Sequence, residues 1–165
     1  MNTVFIVNFV GQASPATIKQ LAAVTHENEG KWLISKVNFI EDQVAGVIKV
    51  ELPEENVDTV KDAFSACQTL IVKFVDSEPH SHREDTVFQL RLDANDRAGI
   101  VNEITHVLDG QGISILDMDC QRVFIAGGGG SALAYSVRRW PSSYLANWKS
   151  MMWPTSWNHS VKIPV

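Results

Sequence analysis

The sequence predicts an α+β protein made of two tandem βαββαβ units, each an antiparallel sheet with its helices on one face. Three observations predict it: a diverged internal repeat, apolar periodicity that alternates between strand and helix spacing in the same order twice, and a polar stretch between the copies. Thr3-Val4-Phe5 reappears as Thr86-Val87-Phe88, and at the same offset Val7, Phe9, Ile18 and Leu21 fall on Leu90, Leu92, Val101 and Ile104. One residue of slippage in the next loop brings Gly30 onto Gly112, just before Trp32-Leu33-Ile34 in one copy and Ile113-Ser114-Ile115-Leu116 in the other.

In the first copy, residues 3–10 read as a buried strand. Ser14-Pro15 then supplies an N-cap and a proline at the first helical position, opening a helix to about His26. Val37 and Phe39 mark a second strand and Val44, Val47, Ile48 and Val50 a third, joined by a polar turn at Glu41-Asp42-Gln43. Val57, Val60, Phe64 and Cys67 recur at helical spacing, with Glu54-Glu55 at the helix entrance where acids suit the dipole. Residues 70–75 close the unit as an apolar strand.

Asp76 to Asp85 is polar throughout and carries Pro79, so the boundary belongs there: a first domain over 1–78, a linker over 79–85 and a second domain over 86–165. The second copy restarts with a strand at Val87, Leu90 and Leu92, a helix from about Gly99, and a strand from Ile113 to Val123. Gly127 to Gly130 reads as a flexible turn before the strand of Leu133, Tyr135 and Val137. Tyr144, Leu145, Trp148, Met151 and Met152 fit a last helix, and residues 161–165 a short closing strand. Four of the five tryptophans, Trp140, Trp148, Trp153 and Trp157, crowd this end, where they either fill a core or anchor an interface. This βαββαβ order, written twice, is ferredoxin-like.

The chain has 165 residues, 45% apolar and 20% charged, which is the composition of a folded protein. Units of about 80 residues bury modest cores, so association as a homo-oligomer, a dimer in the simplest case, is expected. A net charge of −5 without a dense Lys/Arg cluster argues against direct nucleic-acid binding. Met1 leads straight into Val4-Phe5-Ile6-Val7 with no basic leader, and no apolar run approaches the roughly 20 residues of a membrane span, so a cytoplasmic protein without membrane contact is expected. Cys67 and Cys120 lie in a helix and a strand without metal or redox spacing and read as buried thiols.

Between its first strand and first helix the second copy reads Asp96-Arg97-Ala98-Gly99-Ile100-Val101, and Gly112-Ile113-Ser114-Ile115 follows that helix. This pattern resembles the ACT-domain signature, in which an acid or amide, a basic residue, a proline and a glycine occupy the turn; Ala98 stands in place of the proline and Ser114 in place of a frequent asparagine. Two ACT-like units with nothing else attached resemble the glycine cleavage system transcriptional repressor family. The resemblance implies a regulatory protein, not an enzyme, that senses a small amino acid such as glycine and acts by contact with a DNA-binding transcription regulator. The alternative is a stand-alone ACT subunit that modulates an enzyme of amino-acid metabolism.

A free amino acid needs donors for its carboxylate and an acceptor for its ammonium. The helix N-terminus at Gly99 offers the donors, Asp96 could accept, and Ser114 could add a hydroxyl, which nominates Asp96, Arg97, Ala98, Gly99, Ile100 and Ser114 as ligand-binding residues. The plainer reading is that Asp96 caps the helix and Gly99 lets the chain turn. The first copy reads Ala13-Ser14-Pro15-Ala16 at this place, with neither acid nor glycine, so only the second unit is expected to bind. His80 and His82 lie in the linker without further ligands, the glycine run lacks a following Lys-Ser/Thr, and His26 and His106 have no catalytic partners in view. No metal, cofactor or catalytic set is predicted.

Overall fold

The computed structural model describes residues 1–78, 87–95, 97–125, 128–138 and 158–162, with backbone alone at residues 95, 123–125, 128–138 and 158–162. The chain divides into two compact units, Met1–His82 and Arg83–Val165. In the first, β1 (Asn2–Gln12), α1 (Pro15–Glu27), β2 (Lys31–Ile40), β3 (Gln43–Pro53), α2 (Val57–Ser65) and β4 (Leu70–Asp76) follow in order, with a 3-10 turn at Glu54–Asn56 leading into α2. The sheet order is β2-β3-β1-β4, all pairs antiparallel.

Strand alternation sends Phe5, Val7 and Phe9 of β1 and Val44, Ile48, Val50 and Leu52 of β3 to one face. Leu21 of α1 and Val60 and Phe64 of α2 pack on them in a single core. Beside it Thr25, 1% exposed, donates its hydroxyl to Leu21 O at 2.8 Å and accepts from Trp32 Nε1 at 3.1 Å, so two buried polar groups satisfy each other.

The second unit runs β5 (Val87–Asn95), α3 (Ile100–Gly110), β6 (Ser114–Ile125), β7 (Gly128–Arg138) and β8 (Asn158–Lys162). Its sheet order, β6-β7-β5-β8, repeats that of the first. Phe88, Leu90, Leu92 and Ala94 face Ile100, Ile104 and Leu108. The repeat extends to an irregularity: the β2 and β3 register shifts between Trp32 and Ile34, and the β6 and β7 register between Ile115 and Asp117. These are the same positions under the offset that carries Phe5 to Phe88, so one β-bulge occurs in both copies.

The helix ends correct the sequence alignment there. Both α1 and α3 close in a Schellman motif: Gly30 N–H to Thr25 O at 2.8 Å with Glu29 N–H to His26 O, and Ile113 N–H to Leu108 O at 3.0 Å with Gly112 N–H to Asp109 O. The left-handed position is Glu29 (φ 60°) in one and Gly112 (φ 68°) in the other. Gly112 therefore corresponds to Glu29, and no slippage is needed. Gly30 is glycine for another reason, since a Cβ there would lie 2.7 Å from Thr25 Cγ2.

Three further expectations change. Gly128, Gly129 and Gly130 are paired in β7, opposite Ile125, Phe124 and Val123, so these three glycines are strand instead of turn. The closing strand is Asn158–Lys162, earlier than expected, and pairs with β5. Cys120 is exposed, and Cys67 is half-buried against the edge of the first core, so neither thiol is fully buried. The expected helix around Tyr144–Met152 and the tryptophans beyond residue 139 lie outside the described residues, as does 79–85.

Candidate functional site

Gly99 is the N-cap of α3 and sits at φ 84°, ψ −1°, a left-handed conformation that disfavours a Cβ. Its carbonyl accepts the first helical bond, from Glu103 N–H at 3.0 Å, which leaves the amides of the opening turn without intrahelical acceptors. Ile100 is buried and anchors the helix start, while Arg97, Ala98 and Gly99 are exposed. Arg97 grips Glu103 in a two-pronged ion pair, Nη1 to Oε1 at 2.6 Å and Nη2 to Oε2. That bond raises the Arg97 pKa and holds the Glu103 carboxyl below its ordinary range. Asp96 lies outside the described residues. With Gly99 as the cap, the helix has no side-chain capping bond.

Ser114 opens β6 and is exposed. It does not join the turn. Ser114 pairs with Arg138, which pairs with Val87 at the start of β5, whereas Asn95, leading into the turn, is at the far end of that strand. Eight steps along β5 are about 26 Å at about 3.3 Å per residue. The expected convergence of the Asp96–Gly99 turn and Ser114 within one unit is thus corrected by sheet register, with α3 spanning the distance between them.

Around Ser114 the structure supplies partners that sequence reasoning missed. A polar cavity of about 490 Å³ is lined by Ser114 and by Asn102, Thr105, His106 and Asp109, with Ile113 and Ile115 behind. Those four helical residues are spaced i, i+3, i+4 and i+7, the polar stripe opposite Ile100, Ile104 and Leu108, so helical periodicity carried the signal. The Thr105 hydroxyl donates to Val101 O at 2.8 Å, which leaves its oxygen able to accept. Asp109 and the negative end of the α3 dipole make this rim suited to a cation, as the first-turn amides at the other end suit an anion. Among the described residues no group of three His, Cys, Asp or Glu could hold a metal ion. No helix among them is long and apolar enough to cross a membrane.

No family model and no curated protein matches the sequence. Among the crystal structures that match, two do so along the whole chain with a TM-score of 0.70 or more. One is a protein described as unknown from Galdieria sulphuraria, with TM-score 0.79, 14% identity and 100% of both chains covered. The other is provisionally named a glycine cleavage system transcriptional repressor, with TM-score 0.70, 12% identity and 99% and 98% of the two chains covered. The chain shares the fold of these structures, an α+β architecture of two tandem ferredoxin-like units. At these identities the likeness is one of architecture, and in the second unit the turn at Gly99 and the Ser114 cavity are two separate polar features.

Proposed function

We propose that the protein is a non-enzymatic cytoplasmic regulator that binds a small amino acid, with glycine the expected ligand, and that occupancy alters its contact with a DNA-binding transcription regulator. The observation that carries this reading is the pair of complementary half-sites on the second unit. The first-turn amides of α3 suit a carboxylate, and the rim of Asp109 and Ser114 suits an ammonium. Since one unit holds them at opposite ends, a zwitterion touching both takes its contacts from two copies of the chain, the expected homodimer. In the first unit Lys31 opens β2 where Ser114 opens β6, and Pro15-Ala16 stand where the second unit has Ala98-Gly99, so that unit serves packing or partner contact instead. The full-length likeness to a protein provisionally named a repressor supports the regulatory reading.

Thermal unfolding with each of the twenty amino acids at millimolar concentration tests it. A ligand at a hundred times its Kd adds about 2.7 kcal/mol. That is about 10 °C or more for a unit of this size. A flat response across the panel refutes sensing, and calorimetry showing two equal sites per chain refutes assignment to one unit.

A further inference from the structure

The Ser114 cavity, at about 490 Å³, is in the size range of small-ligand sites, and glycine, with no side chain, fills little of it. With the ammonium at Asp109 and Ser114, the rest of the lining faces whatever the Cα of the ligand carries. That remainder is Thr105 and His106, one helical turn or about 5.4 Å up α3 from Asp109, and Asn102 a further turn up. Under the offset that carries Leu21 to Ile104, the corresponding residues of α1 are Ala22, Ala23 and Lys19, so the fold does not require a hydroxyl, an imidazole and an amide at these positions.

The three groups ask for both partners of a hydrogen bond. Thr105, whose hydroxyl proton goes to Val101 O at 2.8 Å, offers an acceptor. Asn102 offers amide N–H donors and a carbonyl acceptor, and the neutral His106 ring a donor on one nitrogen and an acceptor on the other. All three side chains are exposed and therefore solvated. A ligand side chain that displaces this water has to return a donor and an acceptor; methyl groups return neither and leave polar groups unpaired. A hydroxyl or a carboxamide returns both. A carboxylate only accepts, and Asp109 repels it.

We propose, resting on the amino-acid reading of this site, that Thr105 and His106 are specificity-determining residues that favour small amino acids with a neutral hydroxyl or amide side chain, such as serine, threonine and asparagine, over aliphatic ones. Glycine remains a ligand because it presents nothing to Thr105 and His106. Valine matches threonine in shape but brings a methyl where threonine brings a hydroxyl, and leucine stands to asparagine in the same way. The two pairs therefore separate hydrogen bonding from size.

Calorimetric titration of the full chain with glycine, threonine, valine, asparagine and leucine tests the proposal. Threonine is expected to bind about tenfold more tightly than valine, and asparagine than leucine, a modest ratio because the cavity is open to water. Thr105→Val combined with His106→Leu is expected to bring both ratios to within about twofold of unity, with an unchanged circular dichroism spectrum as the check on folding. Thr105→Ser combined with His106→Gln keeps hydrogen-bonding groups at both positions and is expected to keep the preference. Equal binding of threonine and valine, with glycine also bound, overturns the assignment and leaves amino-acid sensing standing. A tenfold preference that persists in the Val/Leu variant overturns it too, since another surface then reads the side chain. If none of the five binds, the sensing role and the specificity fall together.

Discussion

Replacing Gly99 by alanine separates backbone strain from crowding at the candidate turn. A Cβ on Gly99 meets nothing within 4 Å, so the cost is that of φ 84° alone, about 1–2 kcal/mol for a residue with a side chain. The unfolded chain loses freedom with alanine and returns about 0.4–1 kcal/mol. The net expectation is a destabilisation of about 1 kcal/mol, or about 4–8 °C in Tm for a unit this size. Gly110→Ala is the matched control: it sits in the last turn of the same helix, also with nothing within 4 Å and without a positive φ. It should stabilise by about 0.5–1 kcal/mol through helix propensity. Urea denaturation of both variants measures the pair. In the proposed function the amino-acid-induced shift is also lost in Gly99→Ala, where the turn must bend, and kept in Gly110→Ala. A loss above about 3 kcal/mol at Gly99, or the same sign for both variants, refutes the reasoning.

Three other perturbations test the fold around it. Gly46→Ala places a Cβ 2.2 Å from Cζ of the buried Phe9 and should cost about 1–3 kcal/mol by urea denaturation, far more than an exposed strand glycine would. Thr25→Val keeps shape but removes the acceptor for Trp32 Nε1, for an expected loss of about 1–2 kcal/mol and a changed Trp32 emission. Glu103, whose pKa the Arg97 bond depresses in the folded chain, contributes stability that is present above its ordinary pKa of 4.5 and is lost as pH falls through the lower folded value. Glu103→Gln should therefore flatten the stability-against-pH profile below about pH 4.5 and leave its shape near neutrality unchanged.

The fold was legible because each inward position is fixed by burial. Phe5 and Phe88, Val7 and Leu90, and Leu21 and Ile104 all lie in the cores, and an apolar requirement at period two or 3.6 survives divergence as a pattern even where identity is gone. What failed lacks such a constraint. Gly30 and Gly112 look alike as letters but answer to different physics, one to a close approach and the other to a left-handed φ. The glycines of β7 were read as a turn because a residue without a side chain shows no alternation, and only the ladder to β6 gives them a register. The Ser114 placement failed by topology, since nearness of a helix start and the next strand start cannot be read without the sheet order.

The two copies also say which positions the fold leaves open to function. Under one offset the units agree in strand order, in the bulge at Trp32/Ile34 and Ile115/Asp117, and in the inward residues. They disagree on the sheet face away from the helices and in the turn before the first helix. Those are the places where side chains meet solvent and where substitution costs the core nothing, so selection on stability leaves them free to drift. Drift alone scatters residue types. Here the departures are concerted: one outer face is aliphatic with lysines, the other carries Asp93, Asp117 and Asp119, and the left-handed glycine cap appears in one turn only. Concerted chemistry at positions without structural demand is what separate binding tasks on a shared scaffold would produce. On this reading, grafting Arg97-Ala98-Gly99 onto the Ser14 turn of the first unit gives a folded protein with no added amino-acid site, because Lys31 in place of Ser114 and the missing polar stripe on α1 leave the cationic end without its acceptors.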